Sequence, residues 1–394
     1  MLELLVAIMA GCITGTITGL TPGLHVNTVC SLIISLAAIF ENLPALEICV
    51  FIFATAMTQT FVDAIPAIFL GAPEESIALS VLPGHKMLFN GQGHAAVKYT
   101  IIGSLLGNLS IIFLIPFLFL ISRLYFLLKP FIPSIVFLTS VALILREKNR
   151  FWAFVVFMLS GILGVLVLGS ELKEPLLAIF SGLFGISTLV ISLVSKAKIP
   201  EQKFEKIETS KKSLAITIPK AGFASVLCGF FPGMGASQAA VIATSLSKRW
   251  TAKDYLVLVG SINTMVMFIS LVAMYTIGKA RSGAILAISK FIPINLENFT
   301  TLVIVSLVAC GFGTIATLTL SKIFAKKIKN LNYAIISLCV IGFIFLLNLA
   351  INKFFGALVL VTATFIGMIA PLYNVPRYHL MGCLVLPIFL YNVL

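Results

Sequence analysis

Charge is what this chain is shortest of. Only 10% of its residues are Asp, Glu, Lys or Arg, where a soluble domain carries about 25%. It has two aspartates, Asp63 and Asp254, and two tryptophans in 394 residues. An ordinary soluble domain is excluded on that ground. Strand-like alternation of apolar and polar residues is missing too, which excludes an outer-membrane barrel. The seven cysteines (12, 30, 49, 228, 310, 339 and 383) all lie in apolar stretches without a CxxC pair, so they read as small buried hydrophobes. The four histidines (25, 85, 94 and 379) show no HExxH or other ligand spacing, so neither a metal site nor another cofactor is expected. Met1-Leu2-Glu3 lacks the basic start of a cleavable signal peptide. No Gly-x-Ser-x-Gly and no paired acidic motif occurs, so no catalytic residue is singled out and an enzyme is not expected.

What fills the chain instead is apolar: 60% of the residues are hydrophobic and the mean hydropathy is +1.12. Helix-length apolar runs fall near 46–70, 99–120, 124–145, 151–169, 176–195, 255–278, 300–321, 333–352, 355–372 and 378–394. Shorter runs fall near 4–20, 24–40, 214–230 and 234–247. The pattern predicts an all-α polytopic protein of the cell membrane, with about 10–12 transmembrane helices.

The basic residues behind the net charge of +13 cluster in short connections: Arg146–Arg150, residues 196–220, Lys248-Arg249 with Lys253, and Lys322 to Lys329. That is the positive-inside pattern of cytoplasmic loops and not a nucleic-acid footprint. Seven lysines against three glutamates in 196–220 mark a basic linker that also suits anionic membrane lipid. Residues 1–195 and 214–394 are then two membrane repeats joined by the cytoplasmic linker 196–213.

Two Pro-Gly breaks interrupt the apolar runs. One is Gly19-Leu20-Thr21-Pro22-Gly23-Leu24-His25-Val26-Asn27-Thr28; the other is Gly229-Phe230-Phe231-Pro232-Gly233-Met234-Gly235-Ala236-Ser237-Gln238. Backbone opened at membrane depth survives only inside protein or along a watery cavity. Breaks at matching places in two halves are the mark of a secondary transporter's binding site. Even numbers of crossings between cytoplasmic loops open the first hairpin outward and the second inward, an inverted repeat. The N–H groups after Gly23 and Gly233 carry partial positive charge and form a ready anion site. Thr21, His25, Asn27, Thr28, Ser237 and Gln238 add side-chain donors, and Pro22, Pro232 and Gly235 shape the turns. The plainer reading is two kinked helices packed through small residues.

Asp63 lies within an otherwise apolar span, where an acid costs about 2.5–3.5 kcal/mol on insertion scales and normally faces a cavity or a partner. It could bind Na⁺, carry a proton, or be a structural acid bonded to Thr60 or another helix. Asn263-Thr264 follows the second break much as Gln59-Thr60 follows the first, and amides paired with hydroxyls suit a hard cation. Arg281, beside Lys279 at a span end, either faces a substrate carboxylate or snorkels. The polar stretch from Gly71 to Lys86, including Glu74, Glu75 and His85, reads as a loop, either a gate or a solvated connection.

The doubled Gly-x-x-Pro-Gly element resembles that of the TctA family, the large permease subunits of tripartite tricarboxylate transporters. The stretch from Leu70-Gly71-Ala72-Pro73 through Gly84-His85-Lys86-Met87 to Ala95-Ala96 is similar to that family's Gly-x-Pro loop and the segment after it. The likeness is to a divergent, archaeal-type branch. It implies uptake of an organic anion driven by an ion gradient, with a small membrane subunit and an extracytoplasmic binding protein as partners. A homo-oligomer is compatible with it. The expected function is therefore a permease for a carboxylate coupled to Na⁺ or H⁺, against an intramembrane enzyme acting on a lipid-linked substrate, or a channel.

Overall fold

A computed structural model describes residues 2–21, 30, 44–71, 81–128, 131–194, 199–204, 207–230, 236–245, 250–280, 282–328 and 333–393. All regular structure among them is helical. The first half contains α1 (Leu2–Leu20), α2 (Ala45–Val62), α3 (Val81–Phe89), α4 (Gly93–Phe113), α5 (Ile115–Leu128), α6 (Ile132–Arg146), α7 (Arg150–Leu168), α8 (Pro175–Phe180) and α9 (Ser187–Val194). The second contains α10 (Lys211–Phe230), α11 (Ala236–Ser245), α12 (Ala252–Ile277), α13 (Gly283–Phe291), α14 (Leu296–Lys327), α15 (Tyr333–Leu372) and α16 (Gly382–Val393). Wider π-helical turns, Pro66–Leu70 and Ser181–Ile186, extend α2 and join α8 to α9. A 3₁₀ turn, Arg377–Met381, precedes α16. Eight described helices are long and apolar enough to cross a membrane, and three shorter apolar ones accompany them. The protein is a multi-pass membrane protein.

Burial identifies the centre. In α2 and α12, 78% and 89% of the most apolar window is buried, against 28–56% in the other six long helices. α1 shows how the outer helices are built. Gly11, Cys12, Gly15, Thr18 and Gly19 face inward, while Leu5, Met9, Ile13 and Ile17 are exposed. Hydrocarbon solvates the bulky side chains, and small residues let the backbones approach.

The packing of the first half recurs in the second. α1 lies on α2 as α10 lies on α12, and α4 covers α12 as α14 covers α2. A Cβ on Gly19 would stand 2.8 Å from Val62, and one on Gly229 would stand 2.4 Å from Ile269. The two central stretches end on left-handed glycines, Gly71 (φ 64°, ψ 25°) and Gly278 (φ 65°, ψ 23°), the cap that only glycine adopts without strain. Further along, α7 packs on α16 as α15 packs on residues 175–194. There Gly164 abuts Cys383 O and Gly367 abuts Leu183 O, at 1.8 and 2.2 Å from a would-be Cβ.

α15 is two helices meeting at Lys353, whose φ of 56° and ψ of −160° break the run. Asn348 Nδ2 donates to Gly356 O at 2.9 Å and Asn352 Nδ2 to Asn348 Oδ1 at 2.7 Å. Asn352 also exchanges two 2.9 Å bonds with the backbone of Glu174. These amides brace the two sides of the kink and tie it to the Glu174 backbone.

The helices depart from the sequence expectation in three places. The expected spans 99–120 and 124–145 are three helices, α4 to α6, because Pro116 and Pro133 sit where a helix starts comfortably and continues badly. The stretch expected as a loop to Lys86 is helical from Val81, with Pro83 in its first turn and His85 buried; residues 72–80, with Glu74 and Glu75, lie outside the described residues. The basic linker is docked where it is described: Gln202 is buried, accepts from Gly93 N at 2.8 Å and donates to Leu88 O at 3.1 Å.

Candidate functional site

The two central helices carry polar faces toward one another. On α2, Gln59 and Asp63 are one helical turn apart and Thr60 lies beside them, so the 3.6-residue period groups all three. Asp63 ends the regular part of α2 with its N–H on Gln59 O at 3.0 Å. α12 starts at Thr251, whose hydroxyl oxygen accepts from Asp254 N at 3.1 Å, an N-cap that fixes where the helix begins. The helical period then carries Asn263 and Thr264 to the face turned toward α2.

The four residues singled out for a cation come together across the two halves. Asn263 Nδ2 donates to Asp63 Oδ2 at 2.8 Å and to Thr60 O at 3.2 Å. The hydroxyls of Thr60 and Thr264 are 3.2 Å apart. Asp63 is 2% exposed, and its Oδ1 has no hydrogen-bond partner among the described residues. No lysine, arginine or histidine forms an ion pair with it among those residues. The Asp63 carboxylate, the Thr60 and Thr264 hydroxyls and the Thr60 carbonyl thus gather around the Asn263 amide NH2, and the carboxylate and hydroxyl oxygens are of the kind that suits a hard cation or a proton. No group of three His, Cys, Asp or Glu side chains placed to hold a metal occurs among the described residues.

Sequence reasoning passed over Thr18, which donates to Gln59 Oε1 at 3.4 Å and so ties α1 to the cluster. Its adjacency to Gly19, the first residue of the break, was the available signal. Gly19 also brings the break to the cluster, since a Cβ there would lie 3.3 Å from Asp63 N. Thr21 closes α1: its N–H reaches Ile17 O and Thr18 O, both at 3.1 Å, and its hydroxyl reaches Ile17 O at 2.8 Å.

The remaining anion-site residues are not described. Pro22, Gly23, His25, Asn27 and Thr28 of the first break lie outside the described residues, as do Pro232, Gly233 and Gly235 of the second, and Arg281. Ser237 and Gln238 belong to the first turn of α11, their side chains undescribed. α11 itself packs on α10, α12 and the 377–381 turn.

Comparison with known proteins follows the same outline. Residues 5–382 match the family model described as the tripartite tricarboxylate transporter TctA family. The chain is 32% identical over 406 residues, covering 99% of both chains, to "Uncharacterized protein MJ1079" of Methanocaldococcus jannaschii. No solved structure matches the chain. The chain belongs to the TctA family of transporter permeases.

Proposed function

We propose that this TctA-family chain moves an organic anion bearing a carboxylate, and couples its uptake to a Na⁺ or proton gradient. The observation that carries the reading is Asp63: an acid buried between the two halves, bonded to Asn263 and with one oxygen unpartnered among the described residues. Such an acid is costly in an apolar bundle, and a coupling cation that binds there offsets the cost. Thr60 and Thr264 add hydroxyl oxygens for the cation, and Asn263 holds the carboxylate in place. The anion binds at the two breaks, against the N–H groups following Gly23 and Gly233.

The recurrence of packing between halves supports an inverted repeat. Rocking of one half against the other would then expose the site alternately to each side. The cation cluster draws a residue pair from each half, so that motion would change its geometry and couple ion to solute. A tripartite family further implies a small membrane subunit and an extracytoplasmic binding protein as partners, and a homo-oligomer is compatible with the same reading.

The test is uptake of labelled citrate and succinate by purified protein in proteoliposomes, under imposed Na⁺ or proton gradients. Accumulation against the solute's own gradient is expected, and a channel cannot produce it. Gly23→Leu is expected to abolish uptake while leaving membrane insertion intact. Wild-type rates in that variant would remove the breaks from the anion site. A folded protein supplied with its partner subunits that takes up no carboxylate under either gradient would overturn the reading.

A further inference from the structure

Away from the Asp63 cluster, the bundle holds a buried positive charge that has no counter-charge among the described residues. Arg377 opens the turn before α16 and is 6% exposed. Its Nη1 donates to Phe184 O at 3.1 Å, to Ser187 Oγ at 3.3 Å and to Thr188 Oγ1. All three acceptors are neutral, and Nε has no partner among the described residues. Phe184 to Thr188 lie midway along the helical stretch 175–194, so the guanidinium sits far from either end of that stretch. A charge at such depth ordinarily pairs with its opposite or lines a path for one.

A second group without a partner among the described residues lies close to Leu189, one residue on from an Arg377 acceptor. His85, 2% exposed, has no partner on either ring nitrogen among the described residues. A Cβ on Gly71 would lie 2.5 Å from His85 Nε2 and 3.1 Å from Leu189, the residue after Thr188. The imidazole is therefore level with the Arg377 acceptors. Both π-helical turns border this place: Ser181–Ile186 supplies the Phe184 carbonyl, and Pro66–Leu70 leads into Gly71. Turns of this kind widen a helix, frequently at functional sites.

We propose that Arg377 and His85 form a carboxylate-binding site in the middle of the bundle. The guanidinium Nε, unpartnered among the described residues, lies on an edge of the planar fork that carboxylates take bidentately, and His85 supplies a further hydrogen bond. Phe184 O, Ser187 and Thr188 hold the guanidinium flat and aimed. The site rests on the transport reading only for the identity of its occupant, the solute being carried. The 377–381 turn touches α11, the helix that follows the second break.

The experiment measures thermal unfolding of the detergent-purified full chain against rising citrate, succinate, inorganic phosphate and phosphatidylglycerol, at constant ionic strength. A ligand of the folded state raises the midpoint in a saturable way. Citrate or succinate is expected to protect the wild type. Arg377→Gln is expected to weaken that protection by about tenfold or more in concentration. His85→Gln is expected to weaken it several-fold, and serves alone if Arg377→Gln does not fold. Equal protection of wild type and His85→Gln or Arg377→Gln overturns the site, as does protection by phosphatidylglycerol alone or no protection by any carboxylate. Proteoliposome uptake separates the two readings. Wild-type uptake retained in Arg377→Gln removes the site and keeps transport, whereas carboxylate protection lost in Arg377→Gln without wild-type uptake keeps the site and removes transport.

Discussion

Asn263 donates a 2.8 Å hydrogen bond to the carboxylate of Asp63, so the acid of one half is held by the amide of the other. Removing only the amide strands the acid. Asn263→Leu is expected to cost about 1–3 kcal/mol, the penalty of a buried polar group that loses its partner. Replacing both residues, Asp63→Leu with Asn263→Leu, is expected to cost less, because no buried polar group is orphaned. Thermal unfolding in detergent compares the two, and a double variant less stable than Asn263→Leu alone would dismiss the argument.

Gly71 and Gly278 share a backbone conformation and differ in surroundings, which separates strain from crowding. A Cβ on Gly278 meets nothing within 4 Å, whereas one on Gly71 runs into His85 Nε2 at 2.5 Å and Leu189 at 3.1 Å. Gly278→Ala is expected to lose about 1 kcal/mol for the left-handed conformation. Gly71→Ala is expected to lose the same amount plus an overpacking cost of about 1–3 kcal/mol. Equal midpoints for the two variants would mean that His85 swings aside freely.

The kink in α15 stores strain that a single substitution can release. Lys353 holds a conformation that is essentially restricted to glycine (φ 56°, ψ −160°), worth about 1–3 kcal/mol. Lys353→Gly is expected to raise the unfolding midpoint, and Lys353→Ala, which keeps a Cβ, to leave it nearly unchanged. Asn352→Leu is expected to lower it, since its amide bonds both the Asn348 side chain and the Glu174 backbone.

The sequence made the fold legible where chemistry is local. Apolar length predicted the spans, and the likeness of Gln59-Thr60 to Asn263-Thr264 anticipated two faces that do meet. It concealed what depends on tertiary partners. Lys353 looks like any exposed lysine until Asn348 and Asn352 are seen closing the helix around it. His85 lay in a stretch polar enough to pass for a loop, and its burial follows from the packing of Val81–Phe89 on the Pro66–Leu70 turn. Arg377 had a signal that went unused: an arginine among apolar segments deserves the same suspicion as Asp63.

The facing hydroxyls of Thr60 and Thr264, 3.2 Å apart, distinguish the two coupling ions. Sodium needs several oxygens at once, whereas a proton needs only the carboxylate. If Na⁺ binds the cluster, Thr60→Val and Thr264→Val remove oxygens at nearly constant volume. Each is then expected to raise the Na⁺ concentration for half-maximal uptake by about tenfold, or 1.4 kcal/mol. The double variant is expected to fall short of the sum, because the two side chains share a hydrogen bond and an ion. If the coupling ion is a proton, both valine variants keep the wild-type pH dependence of uptake, and Asp63→Asn alone abolishes it. Uptake that responds to neither threonine nor to Asp63 would leave the cluster a structural joint between the two halves.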